Sequence, residues 1–106
     1  MVEEKKINEL CDRIVREFHP ERIILFGSYA YGKPSEDSDV DILVILHFAG
    51  SGLQKTSEIL RKIRPHIAVD LLVKTPEDVR QRLEWNDFFL QEILRKGKVL
   101  YETTHS

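Results

Sequence analysis

Four residues in the first half of the chain have types and a spacing suited to phosphoryl transfer. Gly27 and Ser28 form a small-residue turn, and ten residues separate this pair from Asp39-x-Asp41. A glycine turn lets backbone N–H groups approach phosphate oxygens, and a serine hydroxyl adds another donor. Carboxylates two residues apart on a strand point to one face, roughly 6.5–7 Å from each other. The stretch therefore combines a candidate phosphate-binding turn with a candidate divalent-metal site.

A third acid, Asp70, interrupts another apolar run, Ile67 to Val73. A carboxylate on a buried strand is costly unless it is paired or binds a metal, and neighbouring carboxylates raise one another's pKa unless a cation neutralises them. Mg²⁺ fits best because it takes oxygen ligands from both carboxylates and substrate phosphates. Two such ions suit nucleotidyl transfer, where one activates the attacking oxygen and the other stabilises the leaving pyrophosphate.

These residues are assigned the following roles. We expect Gly27 and Ser28 to bind the nucleotide triphosphate. We expect Asp39, Asp41 and Asp70 to be metal ligands and catalytic residues, with Asp70 completing one metal's shell or accepting the proton of the attacking hydroxyl.

Each feature taken singly also has a structural explanation. The Gly27 turn could simply end a strand, and Asp39 could cap a turn. Asp70 could pair with a basic residue at the edge of the core, such as Arg22. The combination, at this spacing and in this strand order, favours a catalytic site.

Length and charge narrow the class of protein. The 106 residues predict one domain, 1–106, and the net charge of −2, with both signs interspersed, argues against direct nucleic-acid binding through a large phosphate footprint. The single cysteine, Cys11, cannot form an intramolecular disulfide and falls on the apolar face of a predicted helix. The first residues, 1–6, lack the apolar region typical of a signal peptide, and no apolar run approaches membrane-spanning length. A cytoplasmic protein without a membrane segment is expected.

Hydrophobic periodicity predicts the elements that must position these residues. Helices are predicted over ~3–18 and ~53–63, from Thr75 as N-cap, and from Asn86 as N-cap to Gly97, and strands over 22–26, ~39–46, 67–73 and 98–101. A short helix follows the Gly27 turn. The inward positions of the later helices are predicted to be Leu53, Ile59, Leu60, Ile63, Phe89, Leu90, Ile93 and Leu94.

Aromatic residues leave two questions open. Tyr29 and Tyr31 suit packing better than stacking on a nucleotide base. Trp85, Phe88 and Phe89 are close together in the chain, and aromatics of this kind usually belong to the core. Because all three cannot point inward from one helix, some of them could form a surface that faces a partner.

The Gly-Ser pair, the ten-residue spacing, Asp-x-Asp and the later strand acid resemble the nucleotidyltransferase superfamily related to DNA polymerase β. The resemblance covers nearly the whole chain, and its small size is similar to the minimal nucleotidyltransferase (MNT) domains paired with HEPN-domain partners in toxin–antitoxin modules. It implies an α/β (α+β) polymerase β-like fold, a small mixed sheet flanked by helices. It also implies ATP and Mg²⁺ as cofactors.

The resemblance further implies transfer of AMP to a protein hydroxyl, typically a tyrosine of the HEPN ribonuclease toxin, so that this chain would be the antitoxin. Many members carry Arg where this chain has Tyr31, and tyrosine cannot supply that permanent charge to phosphates. A non-enzymatic antitoxin that only binds nucleotide and covers its partner is therefore the alternative. A small-molecule nucleotidyltransferase is a third reading, disfavoured because no substrate-binding domain is expected. The sequence leaves a homo-oligomer open.

Overall fold

The computed structural model describes residues 1–103. Helices and strands alternate along most of the chain, and every predicted element is present with bounds within about two residues of those expected from periodicity. In chain order the elements are α1 (Glu4–Phe18), β1 (Arg22–Phe26), α2 (Ser28–Tyr31), β2 (Val40–Ile45), α3 (Gly52–Ile63), β3 (Val69–Lys74), α4 (Pro76–Glu84), α5 (Phe88–Lys96) and β4 (Lys98–Glu102).

The four strands form one mixed sheet in the order β3-β2-β1-β4. Strand β1 is antiparallel to both β2 and β4, whereas β2 and β3 are parallel and are joined through α3. The two central strands are the most apolar, because both of their faces are covered. The architecture is the α+β arrangement, a small mixed sheet flanked by helices, that the resemblance implied.

Helices cover both faces of the sheet and divide the core in two. The first cluster combines residues of α1 and α3 with alternate residues of β1 and β2, the residue after β2 and one residue of β3. Its members are Ile7, Leu10, Cys11, Ile14, Ile23, Leu25, Val40, Ile42, Val44, Leu46, Ile59, Ile63 and Val73. The second cluster lies on the opposite face under α4 and α5 and contains Ile24, Phe26, Leu43, Ile45, Val79, Leu90 and Ile93. Asp41 and Asp70 have the strand parity of this second face.

Side-chain caps begin three of the helices. Ser51 accepts hydrogen bonds from two amides of α3, and Thr75 accepts one from the Asp78 amide at 3.0 Å, as predicted. The prediction of Asn86 as the N-cap of α5 was wrong by one residue. Asp87 caps that helix by accepting from the Leu90 amide at 3.0 Å, while Asn86 takes a left-handed conformation with φ of 60°.

Two predicted inward positions are exposed. Leu53 lies in the first turn of α3 and is 82% exposed, although the adjacent Gly52 lies against β3, where an added Cβ would be 3.3 Å from the Val73 carbonyl oxygen. Phe89 is 57% exposed, and its ring contacts the Phe26 ring of β1 edge-on. Apolar periodicity identified the helix in both cases but could not tell which of its apolar side chains the rest of the fold covers.

None of the helices within residues 1–103 is both long and apolar enough to cross a membrane.

Cys11 is packed in the first cluster, which leads to a testable expectation. Burial, with a smaller contribution from Asp12, raises the pKa of the thiol to about 11 from an ordinary value of 9.0. The thiol should therefore resist alkylation by iodoacetamide at pH 8 in the native protein and react after unfolding in guanidinium. Because the folded state keeps its proton longer than the unfolded state does, stability should fall as pH rises from 9 to 11. Rapid native-state alkylation, followed by mass spectrometry, would contradict this burial.

Candidate active site

The Gly27 turn connects the end of β1 to the short helix α2. Gly27 has φ of 73° and ψ of −156°, a conformation that residues with a side chain rarely adopt. Its carbonyl accepts hydrogen bonds from the amides of Ala30 and Tyr31, both at 3.0 Å, which holds the turn closed. A Cβ at this position would overlap the Oδ2 atom of Asp41. Glycine is thus required both by the backbone and by the closeness of the carboxylate.

The register of the sheet places two of the acids side by side. Phe26 is paired with Asp41 across β1 and β2, and Asp41 is paired with Asp70 across β2 and β3. Directly paired residues point to the same face of a sheet, and neighbouring strands lie about 4.8 Å apart. The side chains of Phe26, Asp41 and Asp70 therefore form one row, which we call the acid row.

Asp39 is immediately outside strand β2, which begins at Val40 rather than at the predicted position 39. The Val40 amide donates to the Ala68 carbonyl at 2.9 Å, so the chain is already held against the segment that leads into β3. Asp39 thus lies two residues before Asp41, next to the acid row. Because β2 and β3 are parallel and β1 is antiparallel to them, all three acids and the Gly27 turn meet at one end of the sheet.

The carboxylates affect one another electrostatically. The pKa of Asp41 is raised from its ordinary value of 3.8, first by burial, then by the charges of Asp70 and Asp39. Asp41 is half-buried, whereas the other two acids are exposed. Across residues 1–103, no basic side chain lies within ion-pair distance of any of the three. The acids form a cluster of negative charge that no basic side chain of the described residues neutralises.

The structural explanation for Asp70 is contradicted. Arg22 lies at the other end of β1 and pairs with Glu102, with 3.1 Å between Nε and Oε2. It is therefore remote from the row that contains Asp70. An ion pair between them would require the two opposite ends of the sheet to meet.

The donor set suits Mg²⁺, although the side chains do not form a closed cage. Within the described part of the chain, no three acidic, histidine or cysteine side chains already converge as a complete metal site. Repulsion among unneutralised carboxylates favours such an open arrangement. Mg²⁺ commonly takes only one or two carboxylates and completes its shell with water and phosphate oxygens. The half-buried carboxylate of Asp41, which lies directly against Gly27, fits that manner of binding.

The two tyrosines after Gly27 differ in their surroundings. The hydroxyl of Tyr29 accepts a hydrogen bond from the Val2 amide at 2.9 Å, and its ring packs against the first core cluster. This agrees with the packing interpretation. Tyr31, by contrast, is exposed at the end of α2.

Sequence patterns did not identify Phe26 and Phe89 as neighbours of the acids. Their rings are 5.8 Å apart in an edge-to-face contact, and Phe26 is paired with Asp41. The position of Phe26 directly before Gly27 was the available signal. The contact with Phe89, which is far away in the chain, depends on how α5 packs across the sheet.

The chain belongs to the family described as "Polymerase beta, Nucleotidyltransferase", whose model matches residues 5–106. It is 30% identical over 105 residues to a Methanocaldococcus jannaschii protein named "Putative protein adenylyltransferase MJ0604". That alignment covers 95% of this chain and 100% of the relative. The chain is thus a nucleotidyltransferase enzyme, and homology relates it to a protein carrying the adenylyltransferase name.

Solved structures share this fold. A protein described as a "putative nucleotidyltransferase" from Sulfolobus solfataricus superposes with a TM-score of 0.63 at 19% identity, covering 92% of this chain and 78% of that one. A toxin–antitoxin structure with AMP-PNP gives 0.60 at 24% identity, covering 92% and 74%. The toxin–antitoxin MntA-HpeT, in a mutant with two aspartates changed to glutamate, gives 0.58 at 22% identity, covering 97% and 76%.

Proposed function

We propose that this protein transfers AMP from ATP to a hydroxyl group, a tyrosine's, on a HEPN-domain partner, and that residues 1–106 are a single domain for this reaction. The observation that carries the proposal is the acid row beside the Gly27 turn. Three unneutralised carboxylates and a glycine that allows close backbone approach occur at one end of one sheet. That combination serves a cation and a polyphosphate together.

Each of the candidate site residues has a role in one in-line displacement. The acceptor hydroxyl oxygen forms a bond to the α-phosphorus of ATP, the bond from that phosphorus to the β-phosphate oxygen breaks, and pyrophosphate leaves. Gly27 and Ser28 bind the phosphates through backbone and hydroxyl groups. Asp39 and Asp41 hold Mg²⁺, and Asp70 completes a metal shell or takes the proton that the acceptor hydroxyl loses. Bound Mg²⁺ supplies charge neutralisation of the triphosphate and of the leaving group.

Three observations support a protein as the acceptor. The relative that is 30% identical carries the name of a protein adenylyltransferase. Two structures with the same fold are toxin–antitoxin complexes, one of them with AMP-PNP. The net charge of −2 provides little attraction for a nucleic-acid backbone.

The test uses the protein encoded by the gene adjacent to that of this chain. It is incubated with this protein and Mg²⁺, in parallel with ATP labelled at the α-phosphate and ATP labelled at the γ-phosphate. We expect the α-label to enter the adjacent protein and the γ-label to remain in pyrophosphate, with no transfer in EDTA. Mass spectrometry should place the AMP on a tyrosine.

The two labels also define the contrary results. Transfer of the γ-label would indicate a phosphotransferase instead. Failure of the α-label to enter the adjacent protein would refute the proposed acceptor.

The second candidate function is a binding-only antitoxin, and Tyr31 favours it. This side chain is exposed on α2 and brings no positive charge to the phosphates, where the resembling family commonly has arginine. A variant with both Asp39→Asn and Asp41→Asn separates the two functions. If this double variant inhibits the protein of the adjacent gene as strongly as the wild type does, inhibition works by covering that protein and not by AMP transfer.

A further inference from the structure

Three aromatic side chains are exposed at the corner between α4 and α5. Trp85, Phe88 and Phe89 are 70%, 77% and 57% exposed, and we call them the aromatic corner. Together they present roughly 400 Å² of aromatic surface. Apolar patches of that size on a monomer commonly mark an interaction site. Isolated exposed apolar residues such as Leu53 need no such explanation.

The backbone of this corner is well ordered by hydrogen bonds. The amides of Trp85, Asn86 and Asp87 donate to carbonyls in the last turn of α4 at 3.0–3.1 Å. The Asp87 carboxylate caps α5, and its Oδ2 lies 3.5 Å from Nη1 of Arg82. The rings are therefore presented on a fixed scaffold, which lowers the entropic cost of binding a partner.

The aromatic corner adjoins the acid row through one of its rings, Phe89. The Phe89 ring meets the Phe26 ring edge-on, with centroids 5.8 Å apart and planes at 81°. Phe26 is in turn the neighbour of Asp41 across the strands. A molecule that brings a hydroxyl to the acids thus meets the Phe89 edge of the aromatic corner beside its reacting group, and Trp85 and Phe88 lie further along the same α4–α5 junction.

We propose that the aromatic corner is the docking surface for the acceptor protein, which presents an apolar patch next to its reactive hydroxyl. This inference rests on the proposed function, because it assumes a protein acceptor. A standard interface buries about 800 Å² on each partner around an apolar centre. The aromatic corner supplies about half of that area. The surrounding exposed side chains have mixed charge and suit a polar rim, among them Gln81, Glu84, Glu92 and Arg95.

Other occupants fit the surface less well. A nucleotide base stacks on one ring and would leave two of the three exposed aromatic rings uncovered. A second copy of this chain would cover the patch without using the acid row that adjoins it at Phe89. An acceptor protein contacts both the corner and the acid row.

The experiment compares Trp85→Ala and Phe88→Ala with the control Leu53→Ala, which removes an equally exposed apolar side chain from α3. Labelling by ATP with an α-phosphate label gives KM separately for ATP and for the protein of the adjacent gene. Binding of that protein is measured independently by calorimetry. Thermal melting checks that each variant is folded. We expect the two corner variants to raise the acceptor's KM and Kd at least about tenfold, with the KM for ATP and the control unchanged.

The outcomes are distinguishable. A rise in the KM for ATP alone would overturn the inference in favour of base stacking. A wild-type dimer that the corner variants convert to monomer, seen by light scattering, would assign the surface to self-association. Unchanged acceptor affinity in both variants would refute docking while leaving the transfer reaction intact.

Binding without labelling, weakened by the corner variants, would support docking and refute the proposed function. Neither binding nor labelling by the wild type would refute both. The emission of Trp85, the only tryptophan, should shift to the blue in the complex if its ring becomes buried.

Discussion

We expect Asp41→Asn to reduce AMP transfer by about 10³-fold or more while leaving the protein folded. Asparagine has nearly the same shape as aspartate but carries no charge, so it weakens metal binding without opening a cavity. Asp41 is the half-buried member of the cluster, and its carboxylate lies directly against Gly27. It is therefore the acid whose role a water molecule could least take over. The measurement is the rate of α-label transfer at saturating ATP and Mg²⁺.

The same variant should be more stable than the wild type when no metal is present. The raised pKa of Asp41 means that its charge opposes folding at neutral pH, because burial and the charges of Asp70 and Asp39 act against it. Because the folded state binds the Asp41 proton more tightly than the unfolded state does, this proton stabilises the fold fully below the ordinary pKa of 3.8. That stabilisation is lost as pH rises through the folded-state pKa. In EDTA, Asp41→Asn should therefore melt a few degrees higher at pH 7, and the difference should shrink toward pH 4.

Asp37→Asn is the matched control, since it removes the same charge from an exposed loop position of the same motif. It should leave both transfer and the melting temperature nearly unchanged. Added Mg²⁺ with ATP should stabilise the wild type and the control more than Asp41→Asn. Marked destabilisation of Asp41→Asn in EDTA would instead show that this carboxylate has a structural partner, contrary to the site described above.

Gly27→Ala is expected to cost roughly 2–4 kcal/mol of unfolding free energy and to abolish transfer. Two effects combine. The backbone conformation, with φ of 73° and ψ of −156°, is strained for any residue with a side chain. The added Cβ also overlaps the Asp41 carboxylate, which must rotate away from its place in the acid row. Chemical denaturation and the α-label assay measure the two losses separately.

Gly50→Ala serves as the control for strain alone. Gly50 also has a positive φ, 88°, but its new Cβ would meet only the Gln54 side-chain oxygen at 3.6 Å, an ordinary contact. This variant should lose stability and keep full transfer activity. If Gly27→Ala proves as active as Gly50→Ala, the closeness of Gly27 to Asp41 has no role in the reaction.

Most of the local structure could be predicted from the sequence. The apolar runs around residues 22–26 and 40–45, the cap at Thr75 and the turn at Gly27 each depend on neighbours within a few positions. Errors arose where the outcome depended on distant contacts. Leu53 and Phe89 follow helical periodicity, yet both are exposed, because the packing of each helix against distant strands decides which of its apolar side chains are covered.

The sequence by itself determined the chemical types of the candidate site and its family. Residue type and spacing are local properties, so the small-residue turn and the paired acids can be recognised from the sequence alone. Only the tertiary structure decided which residues are neighbours. The parallel pairing of β2 with β3 brings Asp70 beside Asp41, and the packing of α5 brings Phe89 against Phe26. Both contacts join residues far apart in the chain. They depend on how strands and helices pack to bury the two faces of one sheet, and no short segment of the sequence specifies that packing alone.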